Sequence, residues 1–473
     1  MDNFSLTVEL QQTITAEQAW FYNIIPKSVG KDELSFFIDE RKNVESIKDE
    51  LELLFGKRIV LEKVDSNIIS KTLSTNYRKH NLGRKVNSVT NVEAEDFLNQ
   101  LISESKSIGS SDIHVEVYED SCRVRMRIDG KLIERYVLKK KDYPSLINKI
   151  KIKSNLDIAE KRLPQDGRII FKSGQDEFDI RVSVLPTLHG EKVVLRLLSK
   201  DTVNVDINNL GFSKEQLYNY LEGVKKPHGI ILISGPTGSG KTTTLYATLK
   251  ILNKEQFNLL TIEDPIEYTL EGVNQVQLKE SIGLTFSSAL RSFLRQDPDI
   301  IMLGEIRDGE TAQMAIRAAL TGHLVLSTVH TNSAWGIISR LVDMGVPPFL
   351  LASTLNLAVA QRLVRLLCPH CRKEVAFNSN ILPRSFEKPY EIDKHYEATG
   401  CEHCYYTGYK GRIAVFEVIP IDYELGQKIK SSDFDVSKML KERNIKRLSD
   451  QAFDLLSQGK TTIEEIYSML LTD

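Results

Sequence analysis

One octapeptide constrains this chain more than any other feature. Gly235-Pro236-Thr237-Gly238-Ser239-Gly240-Lys241-Thr242 satisfies G-x-x-x-x-G-K-[ST] at every position. It follows the apolar run Ile230-Ile231-Leu232-Ile233 and precedes a helical run, Thr243–Leu252, which is the strand-loop-helix setting this pattern needs. Glycines let backbone N–H groups converge on phosphate oxygens, and the following helix presents its positive end. Lys241 reaches the β- and γ-phosphates, the Thr242 hydroxyl ligates magnesium, and Thr243 continues the cradle into the helix. After Lys200, short apolar strands alternate with helices, the signature of a parallel sheet with crossover connections.

A phosphate cradle binds a nucleotide without necessarily hydrolysing it, so the attacking water needs its own activating group. Two strand-like runs end in acids: Leu259–Ile262 leads into Glu263-Asp264-Pro265-Ile266-Glu267, and Ile300–Leu303 leads into Gly304-Glu305-Ile306-Arg307-Asp308. In parallel sheets the reactive crevice lies at the strand carboxyl ends, so both clusters face the phosphates. A lone acid after a strand is as readily a helix cap; two clusters beside a cradle point to chemistry. The magnesium-binding Asp that commonly follows the second of these strands is replaced by Gly304-Glu305. Glu305 is therefore assigned as catalytic base and water positioner. The metal shell falls to Thr242, the phosphates and water, with Glu263, Asp264 and Glu267 as candidates. A fourth strand, beginning near His323, ends in His330-Thr331-Asn332; His330 is a candidate contact for the γ-phosphate, and His323 reads as structural.

The rest of the chain frames this site. At about 100–200 residues per domain, 473 residues predict two to four domains. With 41% hydrophobic and 27% charged residues, collagenous, disordered and polytopic membrane classes are excluded. Lys plus Arg number 62 against 64 for Asp plus Glu, so no general basic coat for nucleic acid is present. The start lacks a basic region followed by an apolar core, and no run approaches 18 apolar residues. Neither export nor membrane spanning is expected.

Four segments follow from periodicity and turn signals. Residues 1–75 read as a small mixed domain, with helices at Glu17–Tyr22 and Val44–Phe55 and a strand at Leu34–Ile38. The polar stretch Ser74–Thr90 reads as a linker, placed at 76–90. Residues 91–200 form an α+β domain with strands at His114–Val117, Arg123–Ile128 and Val193–Leu198. It also has a hairpin turn at Asp129-Gly130 and a helix at Pro144–Ser154. Lys139, Lys140, Lys141, Lys149, Lys151 and Lys153 read as a solvated face. Residues 201–473 form the α/β block, ending in a helical cap after Asp422.

An insertion at about 366–412 holds four of the five cysteines as two C-x-x-C pairs, Cys368/Cys371 and Cys401/Cys404, with 29 residues between the pairs. Such pairs suit tetrahedral zinc, and four thiolates leave no open position, so the site reads as structural rather than catalytic. Free thiols or a redox pair are the alternatives, and Cys122 reads as a buried thiol.

The ordered series GPTGSGKTTT, TIEDPIEY, DPDIIMLGEIRDGETA and TGHLVLSTVHTN resembles the Walker A, aspartate, Walker B and histidine boxes of the GspE/PulE/PilB family, the type II secretion and type IV pilus assembly ATPases. The likeness extends over Ser110–His114, Arg125–Gly130, Leu163–Arg168 and the cysteine pairs, essentially residues 90–420. It implies a RecA-like P-loop ATPase domain preceded by an α+β (PAS-like) domain and a small N-terminal α/β domain, with a zinc-binding insertion. It also implies ATP, Mg²⁺ and Zn²⁺ as ligands. The family's arginine fingers match Arg181 and Arg196, with Arg168 a lesser candidate. The resemblance further implies a cytoplasmic homohexamer, attached peripherally to the inner membrane. Its partners there are a platform protein and other secretion or pilus components, met through the N-terminal domain. Alternatives are a pilus retraction motor, a hexameric nucleic-acid translocase or helicase, and a nucleotide-dependent module without hydrolysis; no direct nucleic-acid partner is expected.

Overall fold

Leu34, Phe36 and Ile38 alternate with more exposed neighbours, and that period of two builds the first sheet. The computed structural model describes residues 16–30, 33–42, 44–66, 94–173, 176–198 and 205–471, with a few further positions before 16 and between 68 and 88. Strands β1 (Ile24–Val29), β2 (Glu33–Asp39) and β3 (Arg58–Val64) lie in the order β1-β2-β3. β1 and β2 are antiparallel, whereas β2 and β3 are parallel, joined through the helix Val44–Phe55. Ile24, Ile25, Phe36, Leu51 and Ile59 close the core of this sheet.

A second sheet contains β4 (Asn87–Ser88), β5 (Ser110–Val117), β6 (Cys122–Ile128), β7 (Lys131–Leu138), β8 (Gln165–Ser173), β9 (Asp176–Thr187) and β10 (Gly190–Leu198), in the order β4-β7-β6-β5-β10-β9-β8. Most of the polar stretch read as a linker lies outside the described residues; Asn87 and Ser88 pair in parallel with Tyr136 and Val137. Asp129 and Gly130 have φ of 48° and 85°, as a primed hairpin turn requires. One register is consequential: Arg196 stands opposite Asp112 on one side and opposite Arg181 on the other, and Arg181 stands opposite Arg168. Lys151 corrects the solvated-face expectation. It falls one helical turn after Ile147 on the buried stripe, is fully buried, and pairs with Glu191 at 2.5 Å. Its ammonium also donates to the Glu160 and Asp157 carbonyls at 2.6 and 3.2 Å.

The third sheet uses β11 (Gly229–Ser234), β12 (Leu259–Glu263), β13 (Asn274–Gln277), β14 (Ile300–Leu303), β15 (Leu324–Val329), β16 (Leu355–Leu367) and β19 (Tyr409–Pro420), in the order β13-β12-β14-β15-β11-β16-β19. Strands β11, β12, β14 and β15 are wholly buried and nearly continuous in apolar residues, as a sheet covered on both faces demands. One face packs on the helices Lys214–Val224 and Lys241–Leu252, and the other on Phe286–Phe293, Gly309–Leu320 and the C-terminal helices through Leu448, Phe453, Leu456 and Ile466. The expectation of a parallel sheet holds except at one edge, where β16 and β19 run antiparallel. The connection between these two long strands carries the four cysteines and a small antiparallel pair, β17 (Arg372–Ala376) and β18 (Lys394–Ala398). Among the described residues, no helix is long and apolar enough to cross a membrane.

Candidate nucleotide site

β11 ends at Ser234 because Gly235 turns the chain with φ 153°, and a Cβ there would stand 2.4 Å from the Gln361 carbonyl oxygen and 2.6 Å from Ser239 Oγ. At Gly240, φ 86°, a Cβ would stand 2.9 Å from Gln361 Nε2. Gln361 holds the loop from beneath: its amide donates to the Ser239 carbonyl at 2.9 Å, and its Oε1 accepts from Thr244 at 2.9 Å. Pro236, Thr237, Gly238 and Thr242 are exposed on the loop, Thr243 is half-buried, and Ser239 is buried with no partner for its hydroxyl among the described residues.

The Lys241 ammonium donates to the Gly235 and Pro236 carbonyls at 2.7 and 3.1 Å, which lays it along the loop. Burial lowers its proton affinity; the Glu305 charge works against that and the Arg362 charge with it. Lys241, Glu305 and Arg362 thus share one electrostatic neighbourhood.

Glu305 is the centre of a converging cluster. Arg307 Nε donates to its Oε1 at 2.8 Å, and His330 Nε2 lies 3.1 Å from its Oε2. Arg307 also reaches Asp264 at 3.4 Å. Burial pushes the Glu305 carboxyl upward, but the hydrogen bonds and charge of Arg307, with His330, outweigh it and hold the group below the usual carboxylate range. A carboxylate kept ionised and tethered in this way can orient a water and accept its proton. Three sequence-predicted residues, Glu305, His330 and Asp264, meet here. Arg307, to which the sequence assigns no role beyond its place in the run after Glu305, is their organiser, and its position two residues after Glu305 is the signal the sequence offers.

The other acids divide. Glu263 is buried, and its carboxylate accepts from Tyr246, from Thr261 at 2.6 Å and from Gln275 at 3.1 Å. This ties the helix after the phosphate loop to β12. Burial and the Glu263 contact push the Tyr246 hydroxyl pKa far upward, so it remains a donor. Glu267 is partly exposed, 3.5 Å from Arg181, whose Nη2 donates to the Ile266 carbonyl at 2.8 Å. Arg196 is held by the buried Asp112 at 2.9 Å, and Arg168 by Asp179 at 3.0 Å. His323 bonds the Ala318 carbonyl at 2.8 Å and has the structural environment expected of it.

The four cysteine sulfurs lie within 4.8 Å of one another, with Cys368–Cys401, Cys371–Cys404 and Cys401–Cys404 separations of 3.9, 3.7 and 3.8 Å. A tetrahedron with Zn–S bonds of about 2.3 Å has S···S edges of about 3.8 Å, whereas a disulfide needs about 2.05 Å. The Cys401 and Gly408 N–H groups each donate to Cys404 Sγ at 3.2 Å. Against burial, these donors draw the Cys404 thiol down to about 7, while burial and its sulfur neighbours push Cys371 up to about 12. Four thiols this close resist ionising together unless a cation joins them; the donor set fits zinc. Cys122 is buried in β6, as expected.

The family described as "Type II/IV secretion system protein" matches residues 88–468. The chain belongs to this family. It is 42% identical over 400 residues to the type II secretion system ATPase E of Vibrio cholerae, covering 79% of this chain and 76% of that one. It is likewise 42% identical over 428 residues to the type IV pilus assembly ATPase PilB of Myxococcus xanthus, covering 89% and 76%. Among solved structures it is similar to the pilus retraction motor PilT with bound ADP, with TM-score 0.54 and 25% identity over 80% of this chain and 97% of that one. As a member of the type II/IV secretion system family the chain is an ATPase of mixed α/β fold, and its phosphate loop and Glu305 cluster occupy the carboxyl ends of the parallel strands.

Proposed function

We propose that the chain hydrolyses ATP and converts the released free energy into mechanical work in assembling a type II secretion pseudopilus or a type IV pilus. The observation that carries this is Glu305, held ionised by Arg307 and His330 in the same neighbourhood as Lys241. The loop 235–243 cradles the phosphates through the N–H groups of 237–243, and Lys241 turns from its carbonyl partners to the β- and γ-oxygens. Glu305 orients water and accepts its proton, and His330 steadies the carboxylate. Thr242, with Asp264 and Glu267 at hand, would hold a magnesium ion, which would supply charge neutralisation at the phosphates. Glu263, with three side-chain donors, positions the β12 loop rather than ligating the ion.

Residues 91–200 supply Arg181 and Arg196 to the transition state, and residues 1–75, joined by the 76–90 linker, dock on inner-membrane components including the platform protein. The working form is a cytoplasmic homohexamer. Residues 201–473 form its RecA-like engine, with Cys368, Cys371, Cys401 and Cys404 binding structural zinc. Magnesium-dependent phosphate release from the purified chain tests the reading. Lys241→Ala is expected to abolish release, and wild-type rates from that variant would sink the proposal.

A further inference from the structure

β16 runs parallel to β11, and Ser234, the last residue of β11, pairs with Ala360. Gln361 and Arg362 therefore extend beyond the end of β11, level with the phosphate loop. Strand alternation sends Gln361 under the loop and Arg362 to the opposite face. There its Nη1 donates to the Gln361 carbonyl at 3.0 Å, and its Nη2 donates to the Asn332 carbonyl at 3.0 Å. A Cβ added to Gly235 would stand 3.2 Å from Arg362 Nη1, so the guanidinium lies against the first glycine of the cradle. Asn332 is two residues past His330, which bonds Glu305. Arg362 thus bridges the phosphate loop and the loop carrying His330.

This guanidinium is half-buried, yet among the described residues no carboxylate forms an ion pair with it. Glu417, the acid that acts on it electrostatically, already accepts from the Ala334 N–H at 3.0 Å. Burying a cation without an anion is costly, and the cost is offset when an anion arrives. Burial lowers Arg362's proton affinity, but a guanidinium stays charged. The carboxyl-end crevice beside Gly235 is where nucleotide phosphates arrive.

We propose that Arg362 is a substrate-contacting residue that turns its guanidinium fork onto the terminal phosphates of the nucleotide bound by its own chain. This rests on the ATP reading above and adds to it a cation from the nucleotide's own chain, distinct from Arg181 and Arg196. Through Asn332 the same interaction ties the His330 loop to nucleotide occupancy.

The test is calorimetric titration of the full chain with ADP and with the slowly hydrolysed ATPγS, in magnesium, for wild type, Arg362→Gln and Arg362→Lys. Arg362→Gln removes one charge-assisted hydrogen-bonding group and is expected to weaken both affinities about tenfold to a hundredfold, with an unchanged nucleotide-free unfolding midpoint. Arg362→Lys, which restores charge without the fork, is expected to recover part of that affinity. Wild-type affinity in Arg362→Gln overturns the inference. So does a weakened affinity accompanied by a lowered nucleotide-free midpoint that Arg362→Lys leaves unrepaired. If wild type itself binds neither nucleotide, the ATP reading falls, and this inference falls with it.

Discussion

At the scale of single residues, Glu305 sits between opposing effects. Its burial favours the neutral acid, and the hydrogen bonds of Arg307 and His330 favour the carboxylate; the hydrogen bonds, with the Arg307 charge, outweigh burial, so the folded pKa lies below the ordinary value. A depressed carboxyl is ionised above its ordinary pKa and loses its charge, with the stability that charge confers, only as pH falls through the folded value. The base is therefore ready throughout the neutral range, and the acid limb of kcat/KM is expected below the ordinary range of a glutamate carboxyl. Replacing Arg307 with Gln removes the strongest of the interactions that depress the pKa, so the limb should move upward; a limb that stays in place would contradict the assignment. Glu305→Gln keeps shape and hydrogen bonding but not basicity. It should bind ATP with near wild-type affinity and turn over about 10²–10⁴-fold more slowly, read by titration and single-turnover kinetics.

At the scale of elements, the strand pair β16–β19 carries most of what the sequence did not disclose. The phosphate loop, the two acidic strand ends and the helix Val44–Phe55 were legible because each is a local pattern: a motif, a strand followed by acids, an apolar stripe. The antiparallel edge was not, because β16 and β19 are separated by the cysteine connection and nothing in either strand encodes its partner's direction. Arg362, Gln361 and the buried Lys151 were illegible for a related reason. Each acts through a neighbour distant in sequence, Asn332 and Ser239 for the first two and Glu191 for Lys151. The cysteine pairs were legible as pairs, but only the fold brings Cys368 to Cys401 and Cys371 to Cys404. The paired sulfurs sit where β16 leaves the sheet and β19 returns, so metal there braces both strand ends. Cys401→Ser is expected to abolish the zinc adduct seen by native mass spectrometry and to lower the unfolding midpoint, while ATP affinity, set by the loop after β11, stays near wild type. An unchanged midpoint would make the metal dispensable to the fold.

At the scale of the whole molecule, the arginine row on β8, β9 and β10 needs a reason to exist. Arg168, Arg181 and Arg196 stand in register on three adjacent strands, and like charges directly opposite each other destabilise a sheet. Each is compensated by an acid, Asp179, Glu267 and Asp112 respectively, which makes the row tolerable and keeps the guanidiniums extended. Asp112 is buried while the Arg196 side chain, bonded to it through Nε, is largely exposed, so Arg196 is anchored at its root and otherwise open to solvent. An anchored, exposed cation suits an anion brought by another copy of the chain. In a ring, the arginines of one subunit would then serve the nucleotide of its neighbour. Mixing two inactive chains separates that arrangement from service within one chain. Glu305→Gln retains the arginines, and the double variant Arg181→Ala, Arg196→Ala retains the base. If the arginines act across a subunit boundary, random co-assembly pairs an intact base with intact arginines at about a quarter of the sites, and ATPase activity returns to that extent. If they act within one chain, every site in the mixture lacks one or the other, and the rate stays at the level of the separate variants.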